Sequence, residues 1–301
     1  MRTLLKKLGF LAATMCILYV PYLVLAQASP AHQAISNDSS VGGDGGNMVR
    51  ECGLKDPAIN DKYSYCAIDK RGSVRFVLLG DSKAGALKDG LLKVSYNDVR
   101  WLAVLPHGPI TNGLLEELSN IRDIDTVVLV TAIRSNFEIA SHINVNNNPI
   151  YNPKYLENLA VSKSFDHALR DWNRLVSRFL EKGKKVIIVV DNPALPHSKD
   201  CLGRKTAIET INRFLKSTNC VVPLETFNTQ IKIYRAVLER IQTDNPTLVR
   251  IFDPTDIYCD FNTGKCEAIK NGQPMYGYSD HISYYAAQLV GRKLNDFIVK
   301  K

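Results

Sequence analysis

One stretch of the sequence, residues 74–84, constrains the fold more than any other. It reads Val-Arg-Phe-Val-Leu-Leu-Gly-Asp-Ser-Lys-Ala. Its apolar first part has the length and composition of a strand that is covered on both faces of a sheet. Gly80 permits a tight turn, and Asp81 and Ser82 are residue types that cap helices. The stretch therefore predicts a buried strand, a sharp turn that bears Ser82, and a helix whose free N–H groups favour negative charge.

Four more apolar runs follow, separated by helical patterns. The predicted strands are 74–79, 101–105, 126–130, 186–190 and 248–252, and the predicted helices are 82–92, 113–121, 154–181, 206–216, 226–242 and 282–298. This alternation indicates a parallel sheet with helices on both faces. Functional residues of such sheets gather at the carboxyl ends of the strands. At that edge we expect Ser82, 107–108, 131–136, Asp191 and Asp253, with His281 folding over them.

The first 28 residues are typical of an export segment. Three basic residues precede an uncharged apolar run over 8–26, and 26–28 has the small-x-small form of a cleavage site. The run is long for a signal peptide and just long enough to span a bilayer. Residues 1–28 are therefore either a cleaved signal peptide or an N-terminal transmembrane anchor. Both place the remainder outside the cytoplasm, as a periplasmic protein or one tethered to the inner membrane by 8–26.

Residues 29–49 are polar and rich in Gly, Ser and Asn, which is typical of a flexible linker. We expect a single globular domain over 50–301. The net charge of +8 falls to +5 without the three basic residues of the export segment, and no run of five basic residues occurs. Nucleic acid is therefore not an expected partner. A solvated surface explains the excess charge, as does attraction to anionic polysaccharide or lipid headgroups.

Six cysteines follow the export segment, an even count that indicates disulfides in an exported chain. They fall into three local pairs along the sequence, which predicts the bonds Cys52–Cys66, Cys201–Cys220 and Cys259–Cys266. A zinc site is the alternative, but no pair has the Cys-x-x-Cys spacing typical of such sites. We therefore expect disulfides and neither a metal nor a cofactor.

A second stretch, 276–283, reads Tyr-Gly-Tyr-Ser-Asp-His-Ile-Ser before the last predicted helix. Together with 79–84, which matches a Gly-Asp-Ser-His-Ala type block, and the Cys259–Cys266 pair, it resembles the SGNH hydrolases. The resemblance is to the SGNH domains that follow membrane acyltransferase-3 domains in bacterial polysaccharide acetylation proteins. It covers roughly 50–299. It implies a three-layer α/β/α sandwich with a parallel, five-stranded, flavodoxin-like sheet.

The resemblance also implies a serine acyl-transfer site. Ser82 would be the nucleophile and His281 the base that takes its proton. Asp280, the acid adjacent to His281 in sequence, is the candidate for the residue that orients the base. The predicted oxyanion donors are the backbone N–H groups of Ser82 and Gly108 and the side chain of Asn136.

The sequence departs from the family in two places. The family's third block is Gly-x-Asn-Asp, whereas 130–136 reads Val-Thr-Ala-Ile-Arg-Ser-Asn. Asn136 or the charge of Arg134 would therefore have to stabilise the oxyanion. The usual acid lies three residues before the histidine, and Tyr278 occupies that position. Asp280, Asp191, or a serine–histidine dyad held by a backbone carbonyl remain the alternatives.

These features favour an exported enzyme that moves or removes O-acyl groups, chiefly acetyl, on a cell-envelope polysaccharide. A transferase would draw its acyl group from a separate membrane acyltransferase-3 protein, whereas an esterase would use water. The alternative from another class is a degenerate, non-catalytic glycan-binding or scaffold module. The altered third block and Tyr278 favour that alternative.

Overall fold

The computed structural model of the chain describes residues 48–50, 52–133, 164–193, 220–278 and 281–300. Its strands are β1 (Met48–Val49), β2 (Tyr65–Asp69), β3 (Phe76–Gly80), β4 (Trp101–Leu105), β5 (Thr126–Val130), β6 (Lys185–Val189), β7 (Val221–Pro223), β8 (Val249–Phe252), β9 (Cys259–Asp260), β10 (Lys265–Glu267), β11 (Ile269–Lys270), β12 (Gln273–Pro274), β13 (Tyr276–Tyr278) and β14 (His281–Ile282). Its helices are α1 (Ser82–Val94), α2 (Asn112–Ser119), α3 (Ser164–Glu181), α4 (Leu224–Asp244), α5 (Thr255–Tyr258) and α6 (Tyr284–Val299), with a 3₁₀ turn at Pro57–Ile59.

The central sheet has the order β1-β2-β4-β3-β5-β6-β8. The five strands from β4 to β8 in this order are parallel, and counted along the chain they lie in the order 2-1-3-4-5. Every residue of β5 is buried, and all of β3 after Phe76 is buried, because helices cover both faces. The predicted α/β sandwich with a parallel, flavodoxin-like sheet is confirmed.

The sheet has seven strands in these residues, not only the five predicted. β2 pairs antiparallel with β4, and β1 pairs antiparallel with β2, so that both extend one edge of the parallel sheet. Because β1 begins at Met48, the predicted linker over 29–49 overlaps the folded part by two residues. Short edge strands such as these lack the continuous apolar run by which the five central strands were recognised.

The helices form two layers on the sheet. The strand order reverses at β3, and right-handed connections then place α1 on one face and α2, α3 and α4 on the other. α1 packs closely on α6, where Gly90 lies so near Ala287 that a Cβ would approach its atoms to 2.4 Å. On the opposite face α3 packs on both α2 and α4, with the rings of Trp172 and Tyr234 6.1 Å apart.

Two of the predicted disulfides are present. Cys52 is bonded to Cys66 in β2, and Cys259 in β9 is bonded to Cys266 in β10. Cys220 is also disulfide-bonded, and Cys201, its predicted partner, lies outside the described residues. β9, β10 and the hairpins β11–β12 and β13–β14 form the segment that leads to α6, and β10 also pairs with β7.

The other predicted elements match to within a few residues where they are described. The closing helix begins at Tyr284, not at Ile282, because Ser283 caps it by accepting a hydrogen bond from Ala286 N at 3.1 Å. The apolar run over 8–26 and the helical patterns over 154–163 and 206–216 lie outside the described residues. Within the described ranges, no helix combines the length and the apolar composition needed to cross a membrane.

Candidate active site

Gly80 ends β3 in direct contact with the neighbouring strand. A Cβ at this position would lie 1.8 Å from the carbonyl oxygen of Val130 in β5 and 2.9 Å from the Ala84 side chain. Only glycine lets the two strand ends and the first turn of α1 approach so closely. The glycine thereby fixes where the following turn leaves the sheet.

Asp81 and Ser82 form that turn. Asp81 is the N-cap of α1: its Oδ1 accepts a hydrogen bond from Lys83 N at 2.9 Å, and its Oδ2 accepts one from Ala132 N at 2.9 Å. Ser82 is the first residue of the helix and is exposed. Its hydroxyl therefore lies at the carboxyl edge of the sheet, beside the positive end of the helix dipole.

Lys83, by contrast, is buried. Its Nζ lies 3.1 Å from Asp191 Oδ1 and donates a hydrogen bond to Asn192 Oδ1 at 3.3 Å. Asp191 follows β6 and accepts a further hydrogen bond at Oδ2 from Ile133 N, at 3.0 Å. The turns after β3, β5 and β6 are thus joined by one polar network.

His281 is held by a short hairpin. β14 pairs with β13, so that His281 lies opposite Tyr278, and β14 packs against α1, the helix that begins at Ser82. The buried Tyr276 of β13 donates its hydroxyl hydrogen to Pro193 O at 2.5 Å, which ties the hairpin to the turn after β6. The hairpin therefore brings His281 to the same helix and the same edge as Ser82.

Two buried phenols beneath this edge have raised pKa values. Burial, and next the negative charge of Asp191, raise the pKa of Tyr258. The pKa of Tyr234 is raised well above its ordinary value, first by burial and then by the charges of Asp191, Asp81 and Asp253. Both phenols therefore remain protonated at neutral pH.

The loop after β4 carries Gly108, the second predicted oxyanion donor. Gly108 is exposed and has a φ of 121°, a backbone conformation that residues other than glycine rarely adopt. The preceding His107 donates its backbone N–H to Ser64 Oγ at 2.8 Å, and its ring lies 5.0 Å from that of Tyr63. Tyr63 is 66% exposed, so an aromatic surface lies beside this loop.

The predicted site residues divide into three groups. Ser82 and His281 belong to elements that are in contact, and Gly108 lies at the same sheet edge. Asn136 and Asp280, like Arg134, lie outside the described residues, so their roles stay predictions. Asp191 pairs with Lys83, while its role as an alternative acid for His281 stays a prediction.

Sequence reasoning missed Lys83, Asn192 and Tyr276 as parts of the site. Lys83 could have been found in the sequence, because it is a basic residue in the first turn of a predicted helix and directly follows the candidate nucleophile. Asp253, expected at the same edge, caps a turn by accepting from Thr255 N at 2.9 Å and pairs with Arg235 at 2.7 Å.

The fold and this edge define a class of protein: an α/β domain of the SGNH hydrolase kind, consistent with acyl hydrolase or acyl transferase activity. A model of the SGNH domain (fused to AT3 domains) matches residues 108–296, more than half of the chain. The chain belongs to this family. The matched range contains Gly108, Asp191 and His281, whereas Ser82 precedes it.

Two solved structures are similar to the chain at low identity. One is an acetyl xylan esterase, AlAXEase, with 12% identity and a TM-score of 0.44, covering 75% of this chain and 100% of its own. The other is a protein assigned as an acylhydrolase from Bacteroides fragilis NCTC 9343, with 13% identity and a TM-score of 0.39, covering 91% and 100%. Both similarities are too low to carry an argument about activity. No curated protein matches significantly.

Proposed function

We propose that the protein is an exported, serine-dependent enzyme that moves or removes O-acyl groups, chiefly acetyl, on a cell-envelope polysaccharide. One observation carries the proposal: Ser82 is exposed as the first residue of α1, and the hairpin that bears His281 packs on this helix. Family membership supports the same chemistry.

The reaction proceeds in two halves. His281 takes the proton of Ser82 Oγ as this oxygen attacks the acyl carbonyl, and the oxyanion that forms accepts hydrogen bonds from the N–H groups of Ser82 and Gly108 and from Asn136. The intermediate collapses, and His281 gives the proton to the leaving group, which is the sugar oxygen in an esterase and the group that carried the acyl in the donor of a transferase. Water in an esterase, or a sugar hydroxyl in a transferase, then attacks the acyl-serine; His281 takes its proton and returns it to the departing Ser82 Oγ. Asp280 orients His281.

The polysaccharide substrate is supported by the aromatic surface beside Gly108. Tyr63 and His107 are both more than half exposed and lie at the end of β4, the strand next to β3. Flat, exposed rings with nearby polar groups suit the contacts that sugar rings make. An acyl donor for the transferase reaction would be a separate membrane acyltransferase-3 protein, a partner suggested by the family's fusion to AT3 domains.

Export is supported by the disulfides. Cys52–Cys66 and Cys259–Cys266 both close short loops, and such bonds persist mainly in oxidising compartments. The apolar run over 8–26 is the segment that would carry the chain out of the cytoplasm or tether it to the inner membrane.

Kinetics on a small acetyl ester test the proposal. We expect Ser82→Ala and His281→Ala each to lower kcat/KM by about 10³-fold or more, and the double variant to be little worse, because the two residues act as one unit. Matched controls are Ser73→Ala, an exposed serine just before β3 at the opposite end of the strand, and His167→Ala, a histidine on the surface of α3. Both should keep wild-type activity.

A non-catalytic glycan-binding module is the second candidate. Tyr278, the β13 residue opposite His281, occupies the position of the family's usual acid. The absence of an acid at that position favours the binding module. A folded wild type without esterase activity would support the binding module, whereas full activity in Ser82→Ala would assign the chemistry to another nucleophile.

A further inference from the structure

Lys83 directly follows the candidate nucleophile and stands where the family's block has a histidine. Its side chain is 4% exposed, and that of its partner Asp191 is 9% exposed. Lysine is almost never buried to this degree unless its charge is paired. Removing one member of such a pair leaves an uncompensated buried charge, so the two residues act as a unit.

The residues on both sides of the candidate nucleophile are bound to the turn after β5, and the Lys83–Asp191 pair makes one of these two connections. Asp81, on one side, accepts a hydrogen bond from Ala132 N at 2.9 Å. Lys83, on the other side, binds Asp191, which accepts a hydrogen bond from Ile133 N at 3.0 Å. The exposed serine therefore lies between two residues that are fixed to the same short backbone segment after β5.

The network also extends towards the candidate base. Asn192 accepts a hydrogen bond from Lys83 Nζ at 3.3 Å, and its Nδ2 donates a long one to Tyr276 OH at 3.4 Å. Tyr276 begins β13, which pairs with the strand that carries His281. A continuous polar path therefore runs from the nucleophile turn to the base hairpin.

We propose that the Lys83–Asp191 pair is a positioning device that sets the Ser82 turn relative to the His281 hairpin. This inference rests on the proposed function. The ammonium does not take part in the chemistry; it holds two parts of the site at a fixed distance. The nucleophile and the base need a fixed separation, because a displacement of about 1 Å at an active site can lower the rate by about 10²-fold.

Two variants separate positioning from general stability. Lys83→Met removes the ammonium at similar length and leaves the Asp191 charge buried. The double variant Lys83→Met/Asp191→Asn removes both charges and so avoids the buried unpaired carboxylate. For each variant, we would measure the unfolding midpoint in urea, kcat and KM on p-nitrophenyl acetate, and the rate at which a fluorophosphonate labels Ser82.

Lys184→Met is the matched control. Lys184 is also buried, at 6% exposure, but it lies at the opposite edge of the sheet and donates to the carbonyl oxygens of Ile121 and Ile124. It should lose stability while its folded fraction keeps the wild-type labelling rate. Lys83→Arg, which preserves the cation, should regain part of the activity that Lys83→Met loses.

The double variant decides the outcome. If the pair positions Ser82, the double variant regains stability over Lys83→Met, yet its kcat and labelling rate stay lower by about 10²-fold while KM changes little. If the double variant labels and turns over at the wild-type rate, the pair is only structural and the inference is wrong. A folded wild type that neither labels nor turns over would instead reject the proposed function itself.

Discussion

Lys83 and Lys184 are both buried lysines in turns of the same parallel sheet, but they lie at opposite edges and have different partners. Lys184 precedes β6 at the amino edge and donates to two neutral carbonyl oxygens, Ile121 O at 2.7 Å and Ile124 O at 2.5 Å. Lys83 follows β3 at the carboxyl edge and binds the carboxylate of Asp191.

The difference shows how the two edges are built. At the amino edge, backbone carbonyl oxygens accept the hydrogen bonds of the buried Lys184. The carboxyl edge contains Asp81 and Asp191, whose carboxylates accept backbone N–H groups from the turn after β5. The Lys83–Asp191 pair therefore lies at the edge where parallel sheets carry their functional sites. Changes at the carboxyl edge should alter activity, and changes at the amino edge should alter stability alone.

The largest effect is expected for Gly80→Ala at the carboxyl edge. The new Cβ would lie 1.8 Å from Val130 O, so β3 and β5 would have to separate. We expect a loss of about 4 kcal/mol or more in the free energy of unfolding, measured by urea denaturation. Gly85→Ala in the first turn of α1 is the control: its Cβ would meet only Leu105 Cδ1 at 3.9 Å, and it should gain about 0.5–1 kcal/mol. Equal stability of the two variants would contradict the close strand approach.

A smaller effect is expected for Lys184→Met at the amino edge. The substitution leaves two carbonyl oxygens without their donor, and the expected loss is about 1–3 kcal/mol. Specific esterase activity of the folded protein should not change, because no site residue is near. A fall in activity as large as that of Lys83→Met would remove the distinction between the edges.

The same variant also predicts a pH dependence. Burial lowers the pKa of Lys184; the charge of Asp125 opposes this effect and that of Lys182 adds to it. The unfolded chain therefore binds a proton here more tightly, so stability rises with pH between the lowered pKa and the ordinary value of about 10.4. The stability difference between wild type and Lys184→Met should grow as the pH rises through this window. A difference independent of pH would contradict the lowered pKa.

The smallest effect is expected for Arg75→Gln. Arg75 and Asp125 form an ion pair near the amino edge, but their side chains are 63% and 42% exposed. Solvent and salt screen such pairs, so we expect a loss of about 0–1 kcal/mol and unchanged activity. A loss above 2 kcal/mol, persisting in 1 M salt, would show that the amino edge depends on charge after all.

The framework of the fold was predictable because the five parallel strands are short and mainly apolar. Parallel strands are buried on both faces, and β5 illustrates this with five buried residues in succession. The antiparallel strand β2 was missed because its burial is partial and it ends in Asp69. The disulfides Cys52–Cys66 and Cys259–Cys266 were predictable because their partners are close in sequence.

The candidate site was predictable only in part. Ser82 followed from the strand-to-turn pattern and His281 from a short C-terminal block, since each has a local signal. The Lys83–Asp191 pair joins residues far apart in the sequence, and its burial depends on three turns that meet only in the folded sheet. A local sequence pattern therefore cannot predict this pair. β14 was absorbed into the predicted closing helix because Ile282 continues its apolar pattern.

The most direct test of the central claim is to locate the adduct that a fluorophosphonate forms with the folded wild-type protein. The serine oxygen would displace fluoride from phosphorus and lose its proton, which leaves a stable phosphonyl ester. Peptide mass spectrometry should find this adduct on Ser82, and His281→Ala should slow its formation by at least about 10²-fold. An adduct on a different serine, or none on a folded wild type, would contradict the account.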